Sequence, residues 1–378
     1  MRVKLGDVFE IGSGGTPSKS HPEYYGGDIP WVKTGDLKNE YLYEVEDFIT
    51  EEGLKNSAAK VYEADTVLIA MYGATIGATS ILKINACTNQ ACAAFKKNEQ
   101  VIPEYLYYFL RSQKKKFVKD GVGGAQPNIS AGYLKKVEME LPSIEDQRVI
   151  VDILEKISDI VIKRKQEIQS LDNLIKARFV EMFGDPIHNP LGWDMVTFDE
   201  CLTSIENGKS FVCDSNAREG EHPGILKLSA ATYGVYKPEE NKAIIDSNDF
   251  VKSAEVHNGD LLFTRKNTPE LVGMAAYVEI TPNKLMMPDL IFRLNTNSKC
   301  NKIYMWKLIN HDLYRRQVES AASGSAKSMS NISKERLGRL SLPLPPIKLQ
   351  NEFADFVKQV DKSKVAVQKA LDETQLLF

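Results

Sequence analysis

The sequence predicts an α+β protein: two mixed α/β domains in a pseudo-two-fold arrangement, separated by a pair of long antiparallel coiled-coil helices. Three observations carry that prediction. Residues 144–182 run without one glycine or proline and place seam residues at alternating spacings of four and three. A stretch from residue 347 to the C-terminus has the same kind of seam. Between them, the chain repeats the plan of its first 143 residues, over a period far longer than that of a solenoid.

Each element can be read in chain order. Val3, Leu5, Val8, Phe9 and Ile11 form a short strand-like or helical opening, and residues 12–30 are a loop rich in Gly, Pro, Ser and Tyr. Trp31-Val32-Lys33 reads as a strand ending in the turn Thr34-Gly35-Asp36. Residues 66–71 read as a buried strand, 72–77 as a turn, and 78–84 and 89–95 as two further strands. A helix is expected over 103–117, with Pro103 in its first turn and a Tyr/Leu/Phe face; Lys114, Lys115 and Lys116 would be either phosphate-contacting cations or its solvated last turn. Residues 121–128 form a glycine loop and 134–141 a short strand.

The second half follows the same order. Residues 196–202 echo 3–9, Gly224-Ile225-Leu226-Lys227 echoes Pro30-Trp31-Val32-Lys33, and 303–314 stands for the aromatic helix. Arg265-Lys266-Asn267-Thr268 falls opposite Tyr72-Gly73-Ala74-Thr75, and Met287-Pro288-Asp289 opposite Thr88-Asn89-Gln90. From Asn128 to Asp152, nine of 25 positions are identical at one fixed offset in the second half, where average composition gives about one or two. Leu141-Pro142-x-Ile144-x-x-Gln147 returns as Leu344-Pro345-x-Ile347-x-x-Gln350. The frame repeats while the loops differ.

The first helix, at about 1.5 Å per residue, would be roughly 55–60 Å long, more than a compact domain needs. Its seam includes Ile150, Leu154, Ile157, Val161, Ile168 and Leu171; the second helix supplies Phe353, Val357, Val360, Val367 and Leu371. Two such helices in one chain, a domain apart, are expected to pack on each other as an antiparallel pair. The expected division is therefore 1–143, 144–183, 184–346 and 347–378.

Composition and motifs narrow the function by exclusion. The formal net charge of −3 and pI near 6.1 announce no nucleic-acid binder overall, although a local basic face matters more than the total. Five scattered cysteines without a CxxC pair suit a reduced, cytoplasmic protein, and no run reaches the ~18 apolar residues of a membrane span. The loop 12–18 lacks phosphate-loop spacing, and Asn189-Pro190-Leu191-Gly192 is a poor match to a methyltransferase motif. No histidine pair has metal-ligand spacing, and no nucleophile elbow is present. The expectation is a binding protein, not an enzyme, with no catalytic residue and no metal.

Polar loop residues are the candidates for binding. In the first repeat these are Lys19, Lys33, Thr34, Tyr72, Thr75, Asn89, Gln90 and Gln126. In the second they are Lys209, Lys227, Ser229, Arg265, Lys266, Asn267, Lys327 and Ser328. Lys and Arg contact phosphates, while Asn, Gln and Arg carry the paired donors and acceptors that read base edges in the DNA major groove.

The whole plan resembles the specificity subunit of type I restriction-modification systems. The resemblance is carried by residues 29–37 (IPWVKTGDL), 72–77 (YGATIG), Asn89-Gln90-Ala91, Gln126-Pro127-Asn128-Ile129-Ser130, the two Leu-Pro-x-Ile-x-x-Gln openings and 182–193 (MFGDPIHNPLGW). It implies two target-recognition domains, each reading one half of a bipartite asymmetric site on double-stranded DNA. The helices would set the gap and dock two methyltransferase subunits, and restriction subunits could join. No cofactor is implied in this chain; S-adenosylmethionine, ATP and Mg would sit on the partner subunits. The alternative class is a coiled-coil scaffold whose two heads bind proteins.

Overall fold

A computed structural model describes residues 1–121, 128–323 and 329–376. The chain divides into two compact units, Met1–Lys163 with Leu371–Phe378, and Arg164–Ala370. Both boundaries fall inside long helices, α1 (Ile144–Phe183) and α2 (Ile347–Leu376). None of the helices is long and apolar enough to cross a membrane, among the described residues.

The first unit is built on a five-stranded sheet with the order Ile11–Ser13, Cys92–Phe95, Val67–Ala70, Thr79–Leu82, Tyr41–Leu42. Strand Val67–Ala70 is apolar throughout because both of its faces are covered. Val67 and Ile69 pack under the helix Pro103–Ser112 with Leu106 and Leu110, whereas Leu68 and Ala70 face a second core with Val32, Leu82 and Ala94. A second sheet sets Tyr25–Val32 parallel to Ala86–Thr88. The second unit repeats this frame. Its main sheet runs Leu202–Asn207, Ile291–Thr296, Leu261–Thr264, Ala275–Tyr277, and Gly224–Leu226 lies parallel to Leu285–Met286.

Local chemistry shifts several expected boundaries. The expected strand 89–95 begins at Cys92, because the Asn89 side chain accepts from the Ala91 backbone N–H at 3.1 Å and turns the chain first. Leu134 lies in a short helix, Ala131–Lys136, capped by the Ser130 hydroxyl accepting from Tyr133 N; the strand is only Glu138–Glu140. The aromatic helix divides at Gln113, so Lys114, Lys115 and Lys116 open a second helix, Lys114–Asp120, instead of ending the first. The 303–314 stretch divides likewise, with His311 capping Asp312–Ser320.

All eleven seam residues named above are buried or half-buried. Within the second unit, α1 and α2 are antiparallel partners. Lys364 Nζ lies 2.5 Å from Asp172, and the Arg164 guanidinium donates to the Ala370 carbonyl. Phe179 and Phe183 stand 5.6 and 5.2 Å from Phe353, edge to face, and both contact Tyr304 of the head.

The repeated glutamine explains the repeated helix opening. Gln147 is fully buried: its Oε1 accepts from Ile102 N at 3.0 Å, and its Nε2 donates to the carbonyls of Gln100 (2.8 Å) and Pro142 (3.1 Å). Gln350 makes the same set, accepting from Asn301 N at 2.8 Å and donating to Lys299 (3.1 Å) and Pro345 (2.7 Å). Each carboxamide therefore ties the loop before the aromatic helix to the first turn of a long helix.

Between the second head and the helices lies a cavity of about 830 Å³, lined by Tyr233, Ile280, Trp306 and Val365 among others. Lys307 holds its ammonium 3.5 Å from the centre of the Trp306 ring, and burial pushes its pKa down to about 8.

Three outcomes follow from these contacts. Gln350→Ala strands one backbone N–H and two carbonyls and should cost about 1–3 kcal/mol in chemical denaturation; an unchanged midpoint would remove the clamp. Val357→Asp buries an unpaired carboxylate at a 1% exposed position and should cost several kcal/mol. Lys307 releases its proton near pH 8 in the folded chain but only near 10.5 when unfolded. Stability should therefore gain a rising contribution between pH 8 and 10.5, and Lys307→Met should lose that rise. Identical pH profiles for the two proteins would contradict the depressed pKa.

Candidate nucleic-acid interface

In each unit, three loops at the end of the main sheet are joined by the same backbone hydrogen bonds. Gly15 N donates to Thr88 O and Lys209 N to Met287 O, each at 2.9 Å. Met71 N donates to Ala91 O at 2.8 Å, and Arg265 N to Leu290 O at 3.0 Å. Ile129 N reaches Met71 O at 3.0 Å, and Ile332 N reaches Arg265 O at 2.8 Å. Approach is so close that a Cβ on Gly14 would lie 1.7 Å from Thr88 O, and one on Gly208 would lie 2.1 Å from Pro288 O. Only glycine fits there.

These bonds fix which residues are equivalent. Arg265 stands at the place of Met71 and Lys266 at that of Tyr72, one residue from the sequence pairing of Arg265 with Tyr72. The physical reason is that strand register, not chemical likeness, sets the correspondence. Gln90 corresponds to Asp289, as the sequence pairing has it.

The candidate residues fall into distinct environments. Lys33 is ion-paired with Asp47, whose hydrogen bond raises the lysine pKa, and Asp36 accepts from Lys33 N at 2.7 Å, closing the turn that Thr34 opens. Lys227 lies 3.8 Å from Glu240, which also accepts from the Ser229 hydroxyl at 2.7 Å. These two lysines and Ser229 are bound up with carboxylates on their own unit. Asn267 is buried and donates to Thr232 Oγ1 at 3.1 Å, which turns it inward, against its expected role in binding. Thr75 is likewise turned onto the Tyr72 carbonyl at 3.1 Å.

Arg265 is half-buried: its guanidinium donates twice to Asn331 Oδ1, at 3.1 and 3.2 Å, and sits 5.0 Å from the Phe292 ring centre. Tyr72, in an isolated bridge with Asn128, and Lys266, paired with Asn331, remain partly open. Lys19, Gln90 and Lys209 are exposed. Gln126, Lys327 and Ser328 lie outside the described residues.

Reasoning from sequence passed over three polar residues at this junction. Thr16 donates its hydroxyl to Gln90 Oε1, and Ser210 donates to Asp289 Oδ1. The signal that would have found them is the pairing of loop 12–16 with loop 208–210, which the differing loop compositions hide. No group of three or more His, Cys, Asp or Glu among the described residues could hold a metal ion. What the junction offers is a rim of exposed donors and acceptors on a rigid backbone frame.

Comparison with known proteins gives a consistent result. Residues 1–173 and 190–374 each match the family described as the type I restriction modification DNA specificity domain. The chain is 31% identical over 227 residues to the type I restriction enzyme MjaIX specificity subunit of Methanocaldococcus jannaschii, covering 55% of this chain and 52% of that protein. It is 32% identical over 197 residues to the EcoEI specificity subunit of Escherichia coli, covering 50% of this chain and 33% of the relative. The chain thus spans about half, or less, of the length of these curated relatives. Among solved structures, the type I restriction-modification S subunit from M. genitalium aligns over all of this chain and 93% of its own, with a TM-score of 0.54 and 14% identity. A structure described for complex assembly and conformational transition of the type I R-M system aligns equally fully, with a TM-score of 0.61 and 17% identity. At these identities the structural likeness speaks to the fold.

Proposed function

Because this chain belongs to the type I restriction modification DNA specificity family, we propose that it is the sequence-reading subunit of a type I restriction-modification complex. Each unit reads one half of a bipartite, asymmetric site on double-stranded DNA. The observation that carries this reading is the double family match, at 1–173 and 190–374, over one hydrogen-bonded loop frame bearing different polar groups in its two copies. A shared frame supports the same task in both units, and different rim chemistry supports different targets.

The chain itself performs no reaction. Two methyltransferase subunits docked along the helices supply S-adenosylmethionine and the methyl transfer, and restriction subunits using ATP and Mg join them. The acidic balance of the chain agrees with partners that provide much of the phosphate contact. Forty residues of α1 amount to roughly 60 Å, enough to act as a spacer between two half-sites.

Methylation mapping with the cognate methyltransferase subunits tests the reading, and the expected result is one split motif with a fixed gap. Removing seven residues from the middle of α1 takes out roughly 10 Å, close to three base pairs at ~3.4 Å each. The gap should change while both half-site sequences stay. Exchanging residues 1–143 for another head should alter one half alone. A complex without sequence preference, or an exchange that altered a protein partner and left the methylated motif untouched, would favour a scaffold instead.

A further inference from the structure

We propose that Gln90 and Asp289 are the corresponding base-reading side chains of the two units, and that they select different bases: adenine for Gln90, cytosine for Asp289. This inference rests on the DNA-reading function proposed above and deepens it to single positions.

The two residues hold the same place. Each precedes the residue whose carbonyl accepts from the main sheet, Ala91 from Met71 N and Leu290 from Arg265 N. Both are exposed, and each is gripped by one hydroxyl from the facing loop, Thr16 on Gln90 and Ser210 on Asp289. In the second unit the grip is closed from both sides, since Asp289 N donates to Ser210 Oγ at 3.1 Å. An exposed side chain would ordinarily sample many rotamers. Holding it beforehand reduces the ordering cost of binding, which is the usual mark of a recognition group and of no use to a plain solvating one.

The free end of each group differs. With its Oε1 on Thr16, the Gln90 carboxamide keeps its amino group as a donor, and Oε1 keeps a second lone pair. That adjacent donor and acceptor match adenine, whose major-groove edge offers N7 as acceptor and N6 as donor. Asp289 has one carboxylate oxygen on Ser210 and the other open, so it can only accept. A carboxylate is repelled by phosphates, by the acceptor edges of guanine and thymine, and by the N7 that stands beside the amine of adenine. Cytosine, whose major-groove edge presents the N4 amine, rewards it. The neighbouring Lys209, exposed on the same loop as Ser210, offsets the approach of this carboxylate to a polyanion.

The test exchanges the reading groups in the full chain assembled with its methyltransferase subunits. Gln90→Asp should move the methylated motif from A to C at one position of one half-site, and Asp289→Gln should move it from C to A at one position of the other. Each should shift preference between the two bases by roughly 10–100-fold, with the opposite half and the gap unchanged. Thr16→Ala and Ser210→Ala, which free the group without replacing it, should weaken binding and leave the motif as it is. An unchanged motif in both exchange variants overturns the proposal. Should an exchange variant methylate nothing, binding to a duplex panel varied one base at a time decides. A best binder altered at one position of the expected half supports the proposal; a parental best binder, or no preference from a protein with parental melting, overturns it. Failure of the underlying function looks different: the unmutated complex itself would show no split motif.

Discussion

The buried carboxamides of Gln147 and Gln350 are the interaction on which the rest depends. A long helix brings only one face to a domain, and its first turn leaves backbone groups without helical partners. At both helix openings a proline-containing turn meets the loop that starts the aromatic helix, and three backbone groups would be stranded there. One glutamine satisfies all three in each unit. An unsatisfied buried polar group is expensive, so the joint is stiff and directional. It fixes the angle at which each helix leaves its own head.

The two units share this joint and a frame of main-chain bonds, while their exposed rims differ. In the first unit, Tyr72, Gln90 and Thr16 stand where the second has Lys266, Asp289 and Ser210. Because the frame is made from backbone, side chains on it can change without moving the loops. Glycines 14 and 208 make this possible by letting one backbone pass against another at distances no Cβ allows. Lysines that sequence alone offers as phosphate contacts are partly spoken for: Lys33 and Lys227 brace loops through Asp47 and Glu240. Fewer cations therefore stand open at the rim than a count of loop lysines suggests.

Much of this was legible in the sequence. The long helices were, because an apolar seam every three or four residues has no other economical explanation, and its positions are the covered ones from Ile150 to Leu371. The duplication was, because Gln147 and Gln350 close the same Leu-Pro-x-Ile-x-x-Gln pattern. Less legible were the ends of elements. Gln113 and His311 divide helices whose apolar pattern continues across the break, and Asn89 delays a strand by bonding its own backbone. Such side-chain-to-backbone bonds compete locally and leave no periodic trace. Polar candidates suffered most: Asn267 looks like a reader by type and proves to be a buried strut.

By itself the sequence determined the repeated architecture and the two seams, since periodicity and identity at a fixed offset are properties of the string. Tertiary structure decided which residues correspond and which are free. Arg265 takes the place of Met71 and not of Tyr72, and Thr16 finds Gln90 across 74 residues, because strand register and loop closure bring together groups that no local pattern links.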